Sequence, residues 1–186
     1  LLGAALRDGV VCLPGTHAKW AMLQAGAVTG FRTAMTGEAF EFLAERSTLA
    51  HFASAAFAAT AGGGGETASH PAFVTAVAES LAEPKALLAA LFSVRAGPLL
   101  FGAEAASAAR ARLSGLLIGA EIAALAPGRG VTIKLIASGG LRAPYARAFE
   151  IAGLAFEELD AEAAARRGLL RAAESIWPDR FGSSSA

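Results

Sequence analysis

The chain has 186 residues, 54% of them hydrophobic, and its 16 basic and 16 acidic side chains leave no formal net charge. That length supports one sizeable core, and the balanced charge provides neither a basic patch for nucleic acid nor a polybasic segment for a membrane surface. The single cysteine, Cys12, excludes an intramolecular disulfide and fits a reducing cytoplasm.

The chain starts without Met in an apolar pattern (Leu1, Leu2, Ala5, Leu6) that reads as the last turns of a helix, as if cut from something longer. It lacks a signal-peptide n-region, and no stretch of eighteen apolar residues is free of charges or breakers. Val10–Leu13 is apolar and rich in β-formers, Pro14–His17 is a turn, Ala18–Gln24 returns as a second strand, and Ala27–Thr33 is a third. Thr36 or its neighbour then caps a helix that begins at Gly37–Glu38 and runs to about Arg46.

Ser47–Phe57 reads as short helix or loop, and the run Ala61–Gly65 as flexible and solvated. From Pro71 the spacing of Phe73, Val77, Leu81, Leu87, Leu88, Leu91 and Phe92 is helical, with a break at Glu83–Pro84. Ser93–Pro98 reads as a punctuated connection before a long helix over Glu104–Ala126, closed by Pro127–Gly130. Val131–Ala137 is a buried strand, Ala143–Ile151 a helix, Leu154–Leu159 a short strand and Ala161–Ile176 a last helix stopped at Trp177–Pro178. Gly182–Ala186 is a disordered tail by composition. The resulting α/β order is β-β-β-α, a mostly helical insertion over residues 47–103, then α-β-α-β-α. That is the order of one ribonuclease H-like lobe of the actin-like ATPase and sugar-kinase fold.

Three segments carry candidate chemistry. In the hairpin LPGTHAK, Gly15 lets backbone amides approach an anion and Thr16 adds a hydroxyl donor; the alternative is a plain hairpin. Lys19 leaves the turn either toward a phosphate or as a solvated strand residue. In IASGGLRAPYARAF, Ser138, Gly139 and Gly140 follow a buried strand and precede a helix N-terminus, where a base or ribose could lie; a tight turn is the alternative. The helix LSGLLIGAE carries Ser114, Gly115 and Gly119, small residues for close packing or for a ligand. Asp8 sits in a turn with nothing to mark it as a base, and no His, Cys, Asp or Glu cluster has metal-ligand spacing. His51 and His70 read as surface or loop residues.

The strings LPGTHAKW, FRTAMTGEAF, FSVRA, RLSGLLIGAE and IASGGLRAPYARAF, in this order, resemble the 2-dehydro-3-deoxygalactonokinase family of actin-like sugar kinases. The resemblance runs from about Leu1 to Ala173, departing where the family usually has Ser at Ala18 and a bulkier residue at Ala39. It implies ATP-dependent phosphorylation of the 6-hydroxyl of 2-dehydro-3-deoxygalactonate, with Mg²⁺ arriving on the nucleotide. Gly15, Thr16, His17 and Lys19 would border the phosphates, and Ser138, Gly139 and Gly140 the adenosine. Thr36, Gly37 and Glu38 would hold the substrate, the helix N-terminus taking a carboxylate or phosphate oxygen, although Glu38 reads first as a plain first-turn acid. Arg95 is a candidate carboxylate clamp or a salt-bridged helix-boundary residue. On this pattern the chain is the C-terminal lobe, residues 1–186, with the first phosphate loop and catalytic base upstream of residue 1, so that it is a poor catalyst alone.

Three rivals stand beside this reading: a kinase of another sugar or sugar acid on the same fold, a non-catalytic nucleotide-binding actin-like module, and a plain α/β domain. The apolar content and helix-rich insertion also suit a homodimer.

Overall fold

Gly9–Leu13 (β1), Ala18–Gln24 (β2), Ala27–Ala34 (β3), Ile133–Ala137 (β4) and Phe156–Asp160 (β5) form one mixed sheet in the order β3-β2-β1-β4-β5. The computed structural model describes residues 1–53 and 64–181, so the expectations for residues 54–57, 61–63 and 182–186 lie outside the described residues. β1 pairs antiparallel with β2 and parallel with β4, placing Cys12 between Trp20 and Leu135. β4 is buried nearly throughout because helices cover both faces, whereas β3 is an exposed edge.

The helices are Thr36–Arg46 (α1), Ala50–Ala53 (α2), Gly64–Ser69 (α3), Pro71–Ala82 (α4), Leu87–Phe101 (α5), Ala103–Leu125 (α6), Arg142–Ala152 (α7), Ala161–Ile176 (α8) and Pro178–Phe181 (α9). On one face of the sheet, Cys12, Trp20, Ile133 and Leu135 pack against Phe73 and Val77 of α4, Ile118 and Ile122 of α6, and Tyr145 and Phe149 of α7. On the other, Val11, Leu23 and Ile136 meet Leu1, Leu6 and Ala161. A separate core joins α1, α5 and α6 through Ala44, Val94, Leu113 and Leu116. α6 therefore touches both larger cores. Its Gly115 and Gly119 lie so close to α4 that a Cβ would sit 2.5 Å from the Phe73 carbonyl oxygen and 2.9 Å from that of Val77. Close packing is thus what these small residues provide.

Several expectations need correction. Leu1–Leu6 holds only a 3₁₀ turn, Leu2–Ala4, ended where Ala5 takes a φ of 54°. That turn docks on α8, with Arg167 Nε donating to the Gly3 carbonyl at 2.8 Å. Ser93–Pro98 is not a connection but part of continuous α5, in which Val94 and Pro98 are buried. Proline forfeits one helical hydrogen bond, and packing against α6 outweighs the local preference to break. The true end comes at Gly102, whose φ of 78° suits glycine. Of the glycine run, Gly64 and Gly65 begin a helix rather than a flexible segment. Trp177–Pro178 ends α8, and α9 follows after one residue. The segment Pro84–Phe101 is long and apolar enough to cross a membrane by length and composition, though Lys85, Arg95 and Pro98 interrupt it.

Candidate functional site

The β1–β2 turn reaches the start of α1, and the contact depends on glycine at position 37. A Cβ on Gly37 would lie 2.5 Å from the Gly15 carbonyl oxygen and 2.7 Å from Thr16 Cα. Glu38 N–H donates to the Thr16 carbonyl at 2.9 Å, locking helix and hairpin together. Across from this junction, α3 meets the β4–α7 turn just as closely. A Cβ on Gly64 would sit 1.8 Å from the Gly140 carbonyl oxygen.

Between the two junctions lies a cleft of about 290 Å³. Gly15, Thr36 and Gly37 form one wall, Gly64, Gly140 and Pro144 the other, and Arg110, Ser114 and Leu117 of α6 the floor with Tyr145. Among the described lining residues, Arg110 carries the only formal charge. Its guanidinium lies 4.7 Å above the Phe40 ring, and partial burial lowers its pKa, against the pull of Glu45.

The buried Glu121 lies behind the cleft. Its Oε1 accepts from Trp20 Nε1 at 2.8 Å, and its Oε2 accepts from Tyr145 OH at 2.7 Å and from Thr36 Oγ1. A carboxylate withdrawn from water needs such donors, and these three tie β2, α7 and the start of α1 to α6. Burial first, then the Glu121 charge, pushes the Tyr145 phenol far up, so it stays protonated and donates.

The structure divides the expected site residues. Gly15, Thr36, Gly37 and Gly140 share the cleft. Thr16, His17 and Glu38 face a neighbouring depression, where His17 Nε2 and Glu38 Oε2 are 2.5 Å apart. Ser138 and Gly139 open onto another depression with Arg142, Glu158 and Asp160. Lys19 folds back, donating to the His17 carbonyl at 3.0 Å. Arg95, on α5, is not among the residues that line the cleft, and it donates to the Thr48 carbonyl at 2.9 Å. Met35, the neighbour of Thr36, is the N-cap of α1 without a side-chain capping hydrogen bond, and the Thr36 hydroxyl is bonded to Glu121. Asp8 accepts from Ala25 N–H, and His70 caps α4 through Ala72 N–H, both structural tasks.

Sequence reasoning missed Glu121, Tyr145 and Arg110. The signal for Glu121 was there: a lone acid among Leu117, Ile118, Ile122 and Leu125 shares their buried helical face and must find donors. Arg110 sits in the alanine-rich run AASAARARLSG, whose pattern does not say which arginine faces α1.

These features define an α/β domain with a cleft walled by glycine-mediated contacts and floored by one long helix. The sequence model of the 2-keto-3-deoxy-galactonokinase family matches residues 1–172, and the chain belongs to that family. It is 45% identical over 184 residues to a Rhizobium meliloti (strain 1021) protein named a probable 2-dehydro-3-deoxygalactonokinase, covering 96% of this chain and 58% of that one. It is 32% identical over 166 residues to the 2-dehydro-3-deoxygalactonokinase of Escherichia coli K12, covering 88% and 53%. A crystal structure of a Sinorhizobium meliloti protein described as a "putative 2-dehydro-3-deoxygalactonokinase" superposes with a TM-score of 0.81 at 45% identity, covering 95% of this chain and 57% of that one. The chain thus spans a little over half the length of these relatives.

Proposed function

We propose that this chain forms the nucleotide-binding lobe of an enzyme that transfers the γ-phosphoryl group of ATP to the 6-hydroxyl of 2-dehydro-3-deoxygalactonate. The observation that carries the reading is the convergence of Gly15, Thr36, Gly37 and Gly140 on one cleft in a chain of this family. The antiparallel β1–β2–β3 unit followed by parallel β4 and β5 supports a ribonuclease H-like lobe of the actin-like fold. Residues 47–103, helical in most of their described part, are read as an insertion within it.

Phosphoryl transfer asks a protein mainly for positioning and charge stabilisation. The Gly15–Thr16 turn brings backbone close to the phosphates, with His17 and Lys19 at its border, and Gly140 lets the nucleoside lie against backbone. Ser138 and Gly139 set the geometry of that turn from its far side. Arg110, in place of Arg95, supplies the positive charge facing the cleft. Thr36, Gly37 and Glu38 remain the candidate substrate side.

Among the described residues, no group of three His, Cys, Asp or Glu could hold a metal. Mg²⁺ would come with the nucleotide and would supply neutralisation of the charge that develops on its phosphates. No carboxylate lines the cleft among the described residues. The base that takes the 6-hydroxyl proton is accordingly assigned to the part of the relatives' length that this chain does not span. A cytoplasmic setting and a homodimer complete the reading; the free, buried Cys12 supports the first and the exposed apolar side chains of α5 the second.

An ADP-release assay with ATP, Mg²⁺ and 2-dehydro-3-deoxygalactonate tests it, on this chain and on the chain joined to the segment of its relatives that it lacks. Release by the joined form alone supports the reading and the assignment of the base. Release by the chain itself removes the assignment of the base. Nucleotide binding without release by either form points to another substrate or a non-catalytic module.

A further inference from the structure

We propose that Glu121 is a positioning residue that turns the Thr36 hydroxyl proton away from the cleft, so that Thr36 meets a ligand only as a hydrogen-bond acceptor. The group seated against it is then a hydroxyl donor of a sugar, not an anionic oxygen. This rests on the preceding reading, that the cleft takes nucleotide and sugar acid, and it reverses the expectation that Thr36 helps to hold a carboxylate or phosphate.

The indole N–H of Trp20 can only donate, and it fixes Glu121 Oε1. Glu121 Oε2 then receives Tyr145 OH and Thr36 Oγ1 together. A hydroxyl has one proton, and that of Thr36 is used on this carboxylate. What remains on the hydroxyl of Thr36, a residue that lines the cleft, is lone-pair density. The Glu121 carboxylate directly behind it repels an approaching anion in a site of low polarity. Glu38 N–H, one of the donors that an anion at the start of α1 would use, is already spent on the Thr16 carbonyl. Arg110, by contrast, gives anionic groups a place on the floor of the same cleft.

Two sources offer the hydroxyl: the ribose of the nucleotide and the sugar acid. Calorimetric titration separates them, comparing ADP with analogues in which fluorine replaces each ribose hydroxyl, and 2-dehydro-3-deoxygalactonate with its deoxyfluoro analogues. Fluorine keeps the size and the lone pairs and loses the donated proton. The chain joined to its relatives' missing segment is used throughout.

The unsubstituted protein is expected to prefer one hydroxyl over its fluoro analogue by about tenfold, one net hydrogen bond. The ligand in which this occurs identifies the source. Thr36→Ser keeps the preference, and Thr36→Val abolishes it while the other hydroxyls keep theirs. Glu121→Gln, verified as folded by its thermal transition, lets the amide donate to Thr36 and so weakens or reverses the preference. If Glu121→Gln does not fold, the Thr36→Ser and Thr36→Val pair decides alone. Retained preference in Thr36→Val, or no preference in the unsubstituted protein, overturns the proposal and leaves the kinase reading standing. Failure of both ADP and the sugar acid to bind overturns the two together.

Discussion

Removing one donor from Glu121 measures what its buried network contributes. Tyr145→Phe keeps the ring against Phe149 but withdraws a hydrogen bond from a carboxylate that remains buried. A loss of about 1–3 kcal/mol is expected, read as a lower urea midpoint with an unchanged slope. Gly37→Ala acts differently, because its Cβ would collide with the Gly15 carbonyl at 2.5 Å. The hairpin must shift, so ADP affinity should fall while the protein stays folded; unchanged affinity would separate the hairpin from the nucleotide. Cys12 completes the residue scale: burial first, then the Glu121 charge, pushes its thiol well above the usual range. A disulfide reagent should leave it untouched until denaturant exposes it. Of these residues, only Gly37 stood out as a site candidate in the sequence, through its place between a strand and a helix. Glu121 was legible as a lone acid on an apolar helical face, but its partners were not, since its donors come from residues 20, 36 and 145.

Among the elements, the strands were the most legible, because β-branched and apolar runs between Gly and Pro turns admit few alternatives. β1 and β2 fall within a residue of their expected bounds, and β4 loses only the two residues nearest Gly130. The main helices were legible, but neither their full number nor their extent was legible where local and tertiary preferences disagree: the helices at Gly64–Ser69 and Pro178–Phe181 went unread. Gly97–Pro98 reads as punctuation, yet α5 continues through it because Val94 and Pro98 are buried. The glycines at 64 and 65 read as solvent, yet Gly64 is there because Gly140 leaves no room for a Cβ. The start of α8 gives an element-scale test in pH. Asp160 accepts from Ala163 N–H, and that bond, ahead of other causes, holds its carboxyl below the ordinary range. A depressed folded-state pKa means the unfolded chain binds the proton first as pH falls. The stabilisation is therefore present above the ordinary Asp value of about 4 and disappears as pH drops through the folded value. Asp160→Asn should flatten that part of the melting-temperature profile at and below about pH 4. An unaltered slope would remove Asp160 as its source. Asp160 is fully exposed, so salt should also weaken the effect.

For the whole molecule, the surface that needs explaining is α5. Leu88, Phe92 and Leu99 recur at i, i+4 and i+11 and are 85%, 61% and 63% exposed, a stripe one helical face wide. Leu100 and Phe101 extend it at the end of the helix. The opposite face of α5 packs on α6 through Val94, so the stripe is not spare core of this domain. A row of large apolar side chains left in water favours association, at roughly 25 cal/mol per Å² of apolar surface removed. A second copy of the chain can offer the same stripe about a two-fold axis, the symmetry in which a patch is its own complement. Sedimentation velocity over a concentration series should therefore show a dimer, and Leu88→Glu with Phe92→Glu should return it to a folded monomer whose thermal transition no longer depends on concentration. Both side chains are exposed, so the paired substitution removes the interface and spares the core. A monomer at every concentration would exclude self-association through this face. Should the chain dimerise alone but not when joined to the missing segment of its relatives, the stripe belongs to a contact within the longer protein.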